Sequence, residues 1–413
     1  MTSVDTPDLI RSAATAGLIS TRRRDALLVE LSDRDPADAA DVMVRGGWLT
    51  RYQSEQLLAG RTRLHLGPYI ITDFLGQGGM GRVFRAVHRF MGRTVAVKVL
   101  PLEKHTPDAR DSFIRETRLQ AGLDHPHVVR ALDAGRDGNV PYLVTELVPG
   151  TDLRSWVRRG GPLAGPTAAT LLRQVAEALA YLHSIDVLHR DVKPGNILVT
   201  PDGVAKLSDI GLATIGDLAT DPRGGKVVGT ADYLSPEQIR TPGDIGPASD
   251  LYSLGCTAYY AVTGKVPFPG GDTASKCQRH LNEAPWHPGK FAGDLDAGLT
   301  DLIADLMEKD VSRRLSTAAG VIERLDRYLA DAPEVDGPFR PPADVVRDDR
   351  PSPPPEFDVP SSTPPRPPRR KRNDTLPAIT LTIAVTLPLG LAIGYAWADA
   401  GSLEAAVERI VGR

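Results

Sequence analysis

Six residues, Gly76-Gln77-Gly78-Gly79-Met80-Gly81, sit between two stretches that alternate apolar and polar side chains, YIITDFL before them and RVFRAVH after them. A glycine run that opened into a helix would fit a dinucleotide-binding turn. Here the chain returns as a second strand. The glycines therefore form the tip of a hairpin, whose backbone N–H groups can lie close over phosphates. A purely structural Gly-rich hairpin has the same letters, so the rest of the chain must decide between the two.

The 413 residues leave room for two or three domains, and 41% apolar with 24% charged residues is ordinary for a globular core. A net charge of −3 gives no bulk reason to expect a nucleic-acid partner. Two cysteines, Cys256 and Cys277, argue against a disulfide scaffold or a cysteine zinc site and fit a reducing compartment. Prolines gather in residues 331–374, which read as an extended juxtamembrane linker with polyproline II character. Residues 375–398 follow without a charge. As a helix they would reach about 36 Å, enough to span a bilayer core of about 30 Å. Arg366, Arg369, Arg370, Lys371 and Arg372 precede the span and Asp399, Glu404 and Glu408 follow it, with Arg409 and Arg413 further out. That asymmetry predicts a single-pass transmembrane helix with its N-terminal side in the cytoplasm and a short extracytoplasmic tail at 399–413. Residues 1–64 predict three or four short helices, because Gly17-Leu-Ile-Ser20 and Gly47-Trp-Leu-Thr50 each read as a helix stop followed by a cap. No catalytic cluster lies there, and a structural or partner-docking module is the reading.

The middle of the chain changes rhythm. YIITDFL, GRVFRAVH, TVAVKVLP and YLVTELV are β-rich, DARDSFIRETRLQAGL is helical, and from about Ser155 onward most patterns are helical. Val95-Ala-Val-Lys98 puts a lysine on the strand after the hairpin, and Glu116 on the following helix could hold it as an ion pair. His189-Arg190-Asp191-Val-Lys193-Pro-Gly-Asn196 comes next, then Ser208-Asp209-Ile210-Gly211. Alone, that Asp-x-Gly is a turn.

With these spaced motifs in this order, residues 69–330 resemble the eukaryotic-type (Hanks-type) protein kinases, above all the bacterial transmembrane serine/threonine protein kinases. The resemblance implies an α+β bilobal fold: a small β-rich N-lobe and a larger helical C-lobe, here with a helical N-terminal module and one C-terminal transmembrane helix. It implies ATP-dependent phosphoryl transfer to Ser/Thr hydroxyls of protein substrates in signalling, with the kinase domain cytoplasmic at the cell membrane. Lys98, fixed by Glu116, would hold the α/β-phosphates. Asn196 and Asp209 would hold Mg2+ or Mn2+, Asp191 would act as base, and Lys193 would neutralise the γ-phosphate. The ATP site would comprise Leu75, Gly76, Gln77, Gly78, Gly79, Met80, Gly81, Val83, Ala96, Thr145 as gatekeeper, the hinge Glu146–Val148, Asp152 at the ribose and Leu198. An exposed aspartate at a helix start is the second reading of Asp152, nearly as strong as the ribose one.

Ile210 stands where the family carries phenylalanine. Thr230 would sit in the substrate-docking loop, Glu237 would pair with Arg314, and Asp250 would brace the catalytic loop. Relatives carry activation-loop threonines where this chain has Pro222 and Gly224. Thr214 and Thr220 become the candidate phosphosites, with a homodimer through the N-terminal helices as the alternative route to activation. A pseudokinase scaffold and a small-molecule kinase are the competing readings. The intact Lys98, Glu116, Asp191, Asn196 and Asp209 speak against the first, and the Ser-Pro-Glu docking loop speaks against the second.

Overall fold

The computed structural model describes residues 4–77, 81–100, 107–210, 230–293 and 295–332. Gly78, Gly79 and Met80 at the hairpin tip, Thr214 and Thr220, nearly all of the linker, and the span 375–398 with its tail lie outside the described residues. Among the described residues, no helix is long and apolar enough to cross a membrane.

Four short helices come first: α1 (Thr6–Thr15), α2 (Thr21–Leu31), α3 (Pro36–Arg45) and α4 (Arg51–Leu58). Asp5, Ser20, Asp35 and Thr50 cap their starts through side-chain oxygens. After α1 and α3 the chain turns through Gly17 and Gly47, at φ of 70° and 72°. The next N–H groups, of Leu18 and Trp48, bond back to the carbonyls of Ala13 and Met43, which closes both helices with a left-handed glycine. Leu9, Ile10, Leu27, Leu31, Met43 and Leu57 form a core of their own, which Ile70 joins.

A six-stranded antiparallel sheet comes next, in the order β1-β2-β3-β4-β6-β5. Its strands are β1 (His65–Leu66), β2 (Tyr69–Gln77), β3 (Arg82–His88), β4 (Thr94–Val99), β5 (Ala131–Asp137) and β6 (Val140–Glu146). Alternation sends Val95 and Val97 into a cluster with Ala86, Tyr142 and Val144, and so turns Ala96 and Lys98 to the opposite face. On that face α5 (Pro107–Ala121) packs through Phe113 against Leu100 and Leu143. The residues of β5, ALDAGRD, have no strand pattern. They pair along β6 as the sheet edge, so the partner strand rather than local propensity makes them a strand.

The larger half is helical: α6 (Leu153–Gly160), α7 (Gly165–Ser184), α8 (Pro236–Arg240), α9 (Pro247–Thr263), α10 (Thr273–Asn282), α11 (Ala297–Leu306) and α12 (Ala318–Asp331). A small sheet of β7 (Thr151–Asp152), β8 (Ile197–Val199) and β9 (Ala205–Leu207) accompanies them. Leu172, Leu179, Leu254, Ile303 and Leu325 belong to one core shared by α7, α9, α11 and α12. Every residue of α9 from Ala248 to Thr263 is buried, as expected of a helix that is mostly apolar all round. Asp250 lies in its first turn, where a carboxylate faces the positive end of the helix dipole.

Candidate active site

The glycine hairpin is built as β2 and β3, with Gly76 paired to Val83 and Gln77 to Arg82. Gly81 is needed for packing: a Cβ there would collide with the Val99 carbonyl oxygen. Val83 lies across from Lys98 on β4, and Ala96 lies across from Thr145 on β6. These pairings put Val83, Ala96, Lys98 and Thr145 on one face of the sheet. Leu198 lies on β8, paired to Asp152.

Lys98 reaches across the cleft. Its Nζ lies 2.8 Å from Asp209 Oδ1, just beyond β9. The lysine side chain is 11% exposed and the aspartate 49%. The Lys98 ammonium beside Asp209 holds its carboxyl below the ordinary carboxylate value, against the opposing pull of burial. Asp209 has a φ of 55°, a left-handed conformation that is uncommon outside glycine and tends to persist at functional sites. Ile210 next to it is 1% exposed and belongs to the helical-half core, so an aliphatic side chain fills the place of the family's phenylalanine. The side chain of Glu116, on α5, lies outside the described residues, as does that of Thr230.

The second cluster is on the loop before β8. Asp191 Oδ2 accepts Lys193 Nζ at 2.6 Å and Asn196 Nδ2 at 3.0 Å, and Asn196 Nδ2 also donates to the Asp191 carbonyl at 2.8 Å. Pinning that amide nitrogen leaves the Asn196 Oδ1 as the group's ligating atom. A carboxamide oxygen together with the Asp209 carboxylate is a hard-oxygen donor set, which fits a magnesium-type ion. The Asn196 carbonyl accepts the Ser208 N–H at 2.8 Å, tying this loop to the segment that carries Asp209.

The loop is held from beneath by Asp250, which is 1% exposed. Its Oδ2 accepts His183 Nε2 and the His189 N–H, both at 2.9 Å, and its Oδ1 accepts the Arg190 N–H at 2.7 Å. Arg190 has a φ of 66°, and its carbonyl accepts Gln238 Nε2 at 2.9 Å. Burial pushes the His189 imidazole below its ordinary value, so the ring is neutral. Its Nδ1 accepts the Asp191 N–H at 3.3 Å, which assigns the proton to Nε2, and Nε2 donates to the Ser208 carbonyl at 3.1 Å.

Glu237 and Arg314 do pair. Arg314 is fully buried at its side chain, and its five N–H donors go to Glu237 (2.6 and 3.1 Å), Ala248, Glu308 and Lys309. Burial pushes the Glu237 carboxyl up, but Arg314 and Ser249 outweigh it and hold it below its ordinary value. Two hinge-side residues have additional structural partners. Glu146 Oε1 takes Lys206 Nζ at 2.8 Å and the Arg130 N–H at 2.9 Å. Asp152 Oδ1 caps α6 through the Ser155 N–H at 2.8 Å, which is the helix-start reading. Gln238 and Ser208 carry loop-fixing bonds that motif reading passed over. Only Gln238 left a signal: Ser235-x-x-Gln238 has capping-box spacing, and the box forms.

The protein kinase domain family model matches residues 69–324, more than half of the chain. The serine/threonine-protein kinase PknA of Mycobacterium tuberculosis is 40% identical over 254 residues, which cover 60% of this chain and 58% of PknA. PknB of Corynebacterium glutamicum is 37% identical over 276 residues, covering 64% of this chain and 42% of that protein. The chain therefore aligns with about half the length of the curated relatives it matches. The crystal structure of Rad53 1–466 in complex with AMP-PNP is similar at a TM-score of 0.54 and 28% identity, covering 67% of this chain and 69% of that one. Fold, motif order and these likenesses agree: the chain belongs to the protein kinase family.

Proposed function

We propose that the protein is an ATP-dependent serine/threonine protein kinase tethered to the cell membrane. The observation that carries this reading is a pair of neighbouring clusters, Lys98 on Asp209 and Lys193 with Asn196 on Asp191, tied together by the Ser208 N–H on the Asn196 carbonyl. Phosphoryl transfer passes through a loose transition state with charge spread over oxygens, so a catalyst mainly positions groups and places positive charge. Magnesium or manganese, held by Asn196 and Asp209, would neutralise phosphate charge. Lys98 orients the α/β-phosphates, and the hairpin from Leu75 to Gly81 covers them. Two donors occupy Asp191 Oδ2, and among the described residues no bond is made to Oδ1, which is therefore available for the acceptor hydroxyl. Lys193 beside it supplies positive charge for the γ-phosphate, and Thr230 belongs to the loop that docks protein substrates.

The AMP-PNP in the similar Rad53 structure supports an adenine nucleotide as donor. The charge-free span 375–398 behind a basic run supports a single-pass anchor with the kinase half cytoplasmic. The test is transfer of radiolabelled γ-phosphate from ATP to a generic basic protein, followed by phosphoamino-acid analysis. Label on serine and threonine is expected, and Asp191→Asn should lower it by about 10²-fold or more with the fold intact. Nucleotide binding without transfer would favour a scaffold instead.

A further inference from the structure

The four N-terminal helices reach beyond their own core. α4 opens with a capping box, in which Thr50 Oγ1 accepts the Gln53 N–H at 3.1 Å and Gln53 Oε1 accepts the Thr50 N–H at 2.9 Å. Each side chain keeps a donor after making that box. Both donors go to β2: Gln53 Nε2 to the Ile71 carbonyl at 2.7 Å, and Thr50 Oγ1 to the Thr72 carbonyl at 2.6 Å. Gln53 and Thr72 are each 5% exposed, so the contact is nearly dry, where such bonds count most.

Successive carbonyls of a regular strand point to opposite neighbours. One helix end can take two in a row only where the strand is irregular. β2 is irregular here: Ile71 pairs with Ala86 and Asp73 with Arg85, so Thr72 is the extra residue. The Thr72 hydroxyl donates to the Arg85 carbonyl at 3.2 Å and fills the gap on the β3 side. This bulge sets the register of β2 as far as Phe74, and a second irregularity follows at Leu75, between the Phe74 and Gly76 pairings. The bulge at Thr72 sets Phe74 opposite Phe84, with ring centroids 5.6 Å apart, and Tyr52 of α4 reaches the same Phe84 at 6.4 Å. A slip of one residue at Thr72 would turn Asp73 and Phe74 to the other face and displace Leu75, from which Gly76 and Gln77 lead into the hairpin.

We propose that the capping box of α4 is a positioning clamp: Thr50 and Gln53 hold the β2 bulge and thereby set the glycine-rich hairpin over the nucleotide. This rests on the reading of that hairpin as the ATP lid. It makes the N-terminal module a working part of the β lobe, acting through β2 without touching substrate.

The test uses the full 413-residue chain in mild detergent. Gln53→Leu and Thr50→Val each delete the donor to β2 together with that residue's half of the capping box while nearly preserving volume, and Gln53→Glu keeps the box acceptor while losing the donor. Thr50→Ser restores the hydroxyl, and Ser20→Ala removes the cap of α2 within the same module. Two readouts are taken: nucleotide-free hydrogen exchange at Leu75, Gly76 and Gln77, and the split between KM for ATP and kcat. The three donor-deleted variants should exchange about tenfold faster at these amides. Their KM for ATP should rise about fivefold with kcat nearly unchanged, the pattern of lost uniform binding. Thr50→Ser and Ser20→Ala should match the parent chain in both. Unchanged exchange in the donor-deleted variants, or the same change in Ser20→Ala, overturns the clamp. If a donor-deleted variant does not fold, the parent chain decides. Its β2 amides must open together with those of α4, and separate opening overturns the proposal. A parent chain that transfers no phosphate refutes the kinase reading, while the exchange result still judges the clamp.

Discussion

Replacing Asp250 by asparagine isolates the support of the catalytic loop, since shape is kept and charge is removed. Three donors converge on this carboxylate, from His183 Nε2 and the backbone N–H groups of His189 and Arg190. An asparagine has one oxygen for them. Placing that oxygen where Oδ2 stood keeps two donors satisfied and turns the amide NH2 toward the Arg190 N–H, donor against donor. One buried backbone donor is then unpaired, and the two remaining bonds lose their charge assistance, a cost of about 3 kcal/mol. For a kinase domain of this size that lowers the melting temperature by roughly 6–12 °C. The catalytic consequence is larger than the stability loss. The left-handed backbone at Arg190 stores about 1–2 kcal/mol of strain that the bond from its N–H helps to hold. Once that bond is gone, Asp191 can drift, and a shift on the order of 1 Å costs about 10²-fold in rate. Calorimetry and kcat, measured well below the lowered melting temperature, provide the assay. A melting temperature that falls while kcat stays within about twofold would falsify the positioning argument. A melting temperature that does not move would mean the three bonds are not made.

Acid stability should report His280, which is fully buried beside Tyr252, Phe268 and Lys309. Burial first, and then Lys309, lowers its pKa from 6.5 to about 3. The folded value lies below the unfolded one, so this contribution is complete above pH 6.5 and is lost as pH falls from there toward 3. At pH 5 the loss is about 2 kcal/mol, and in His280→Phe the slope of unfolding free energy below pH 6.5 should flatten by about 1.4 kcal/mol per unit. An unchanged slope in chemical denaturation would contradict this. In the activation segment, mass spectrometry of autophosphorylated protein should find phosphate on Thr214 or Thr220. Full activity of the Thr214→Ala/Thr220→Ala protein as a monomer would remove both proposed routes to activation. A C-terminal reporter that works only in the cytoplasm should be silent, and a bright signal would reverse the proposed topology.

The strands that carry the candidate site were legible in the sequence, since the alternation of YIITDFL, RVFRAVH and TVAVKVLP marks β2, β3 and β4. The roles proposed for Gly76 to Gly81, Asn196 and Asp209 came with the family resemblance, because alone the Asp-x-Gly at Asp209 is a turn. Glu237, Arg314 and Asp250 were legible only through the family resemblance, since partners 77 and 60 residues apart leave no local pattern. The strand β5 was not legible, because it is made by pairing with β6. The bulge at Thr72 was not either. The box spacing of Thr50 and Gln53 is written in the sequence, but the targets of their remaining donors lie 22 and 18 residues away and emerge only when α4 packs on β2. The neutral state of His189 likewise comes from enclosure that no single residue announces.

Three aspartates in this half of the molecule are chemically identical and are given different work by their surroundings. Asp250 is enclosed, and three N–H donors use both its oxygens. Burial keeps it from any substrate, and it acts on the shape of the loop. Asp209 is half exposed, and its Oδ1 lies on one ammonium, so it keeps its charge and still faces the cleft with capacity for a cation. Asp191 is intermediate: 26% exposed at its side chain, with Lys193 and Asn196 both on Oδ2. Among the described residues that leaves its Oδ1 without a bond, the oxygen that the proposed mechanism gives to the acceptor hydroxyl. Exchanging these environments would exchange the roles. Moving the Lys98 ammonium away from Asp209, for instance, would leave a carboxylate in a strained backbone with no fixed direction. The arrangement of donors around each carboxylate, more than the carboxylates themselves, separates the three roles that the proposed phosphoryl transfer requires.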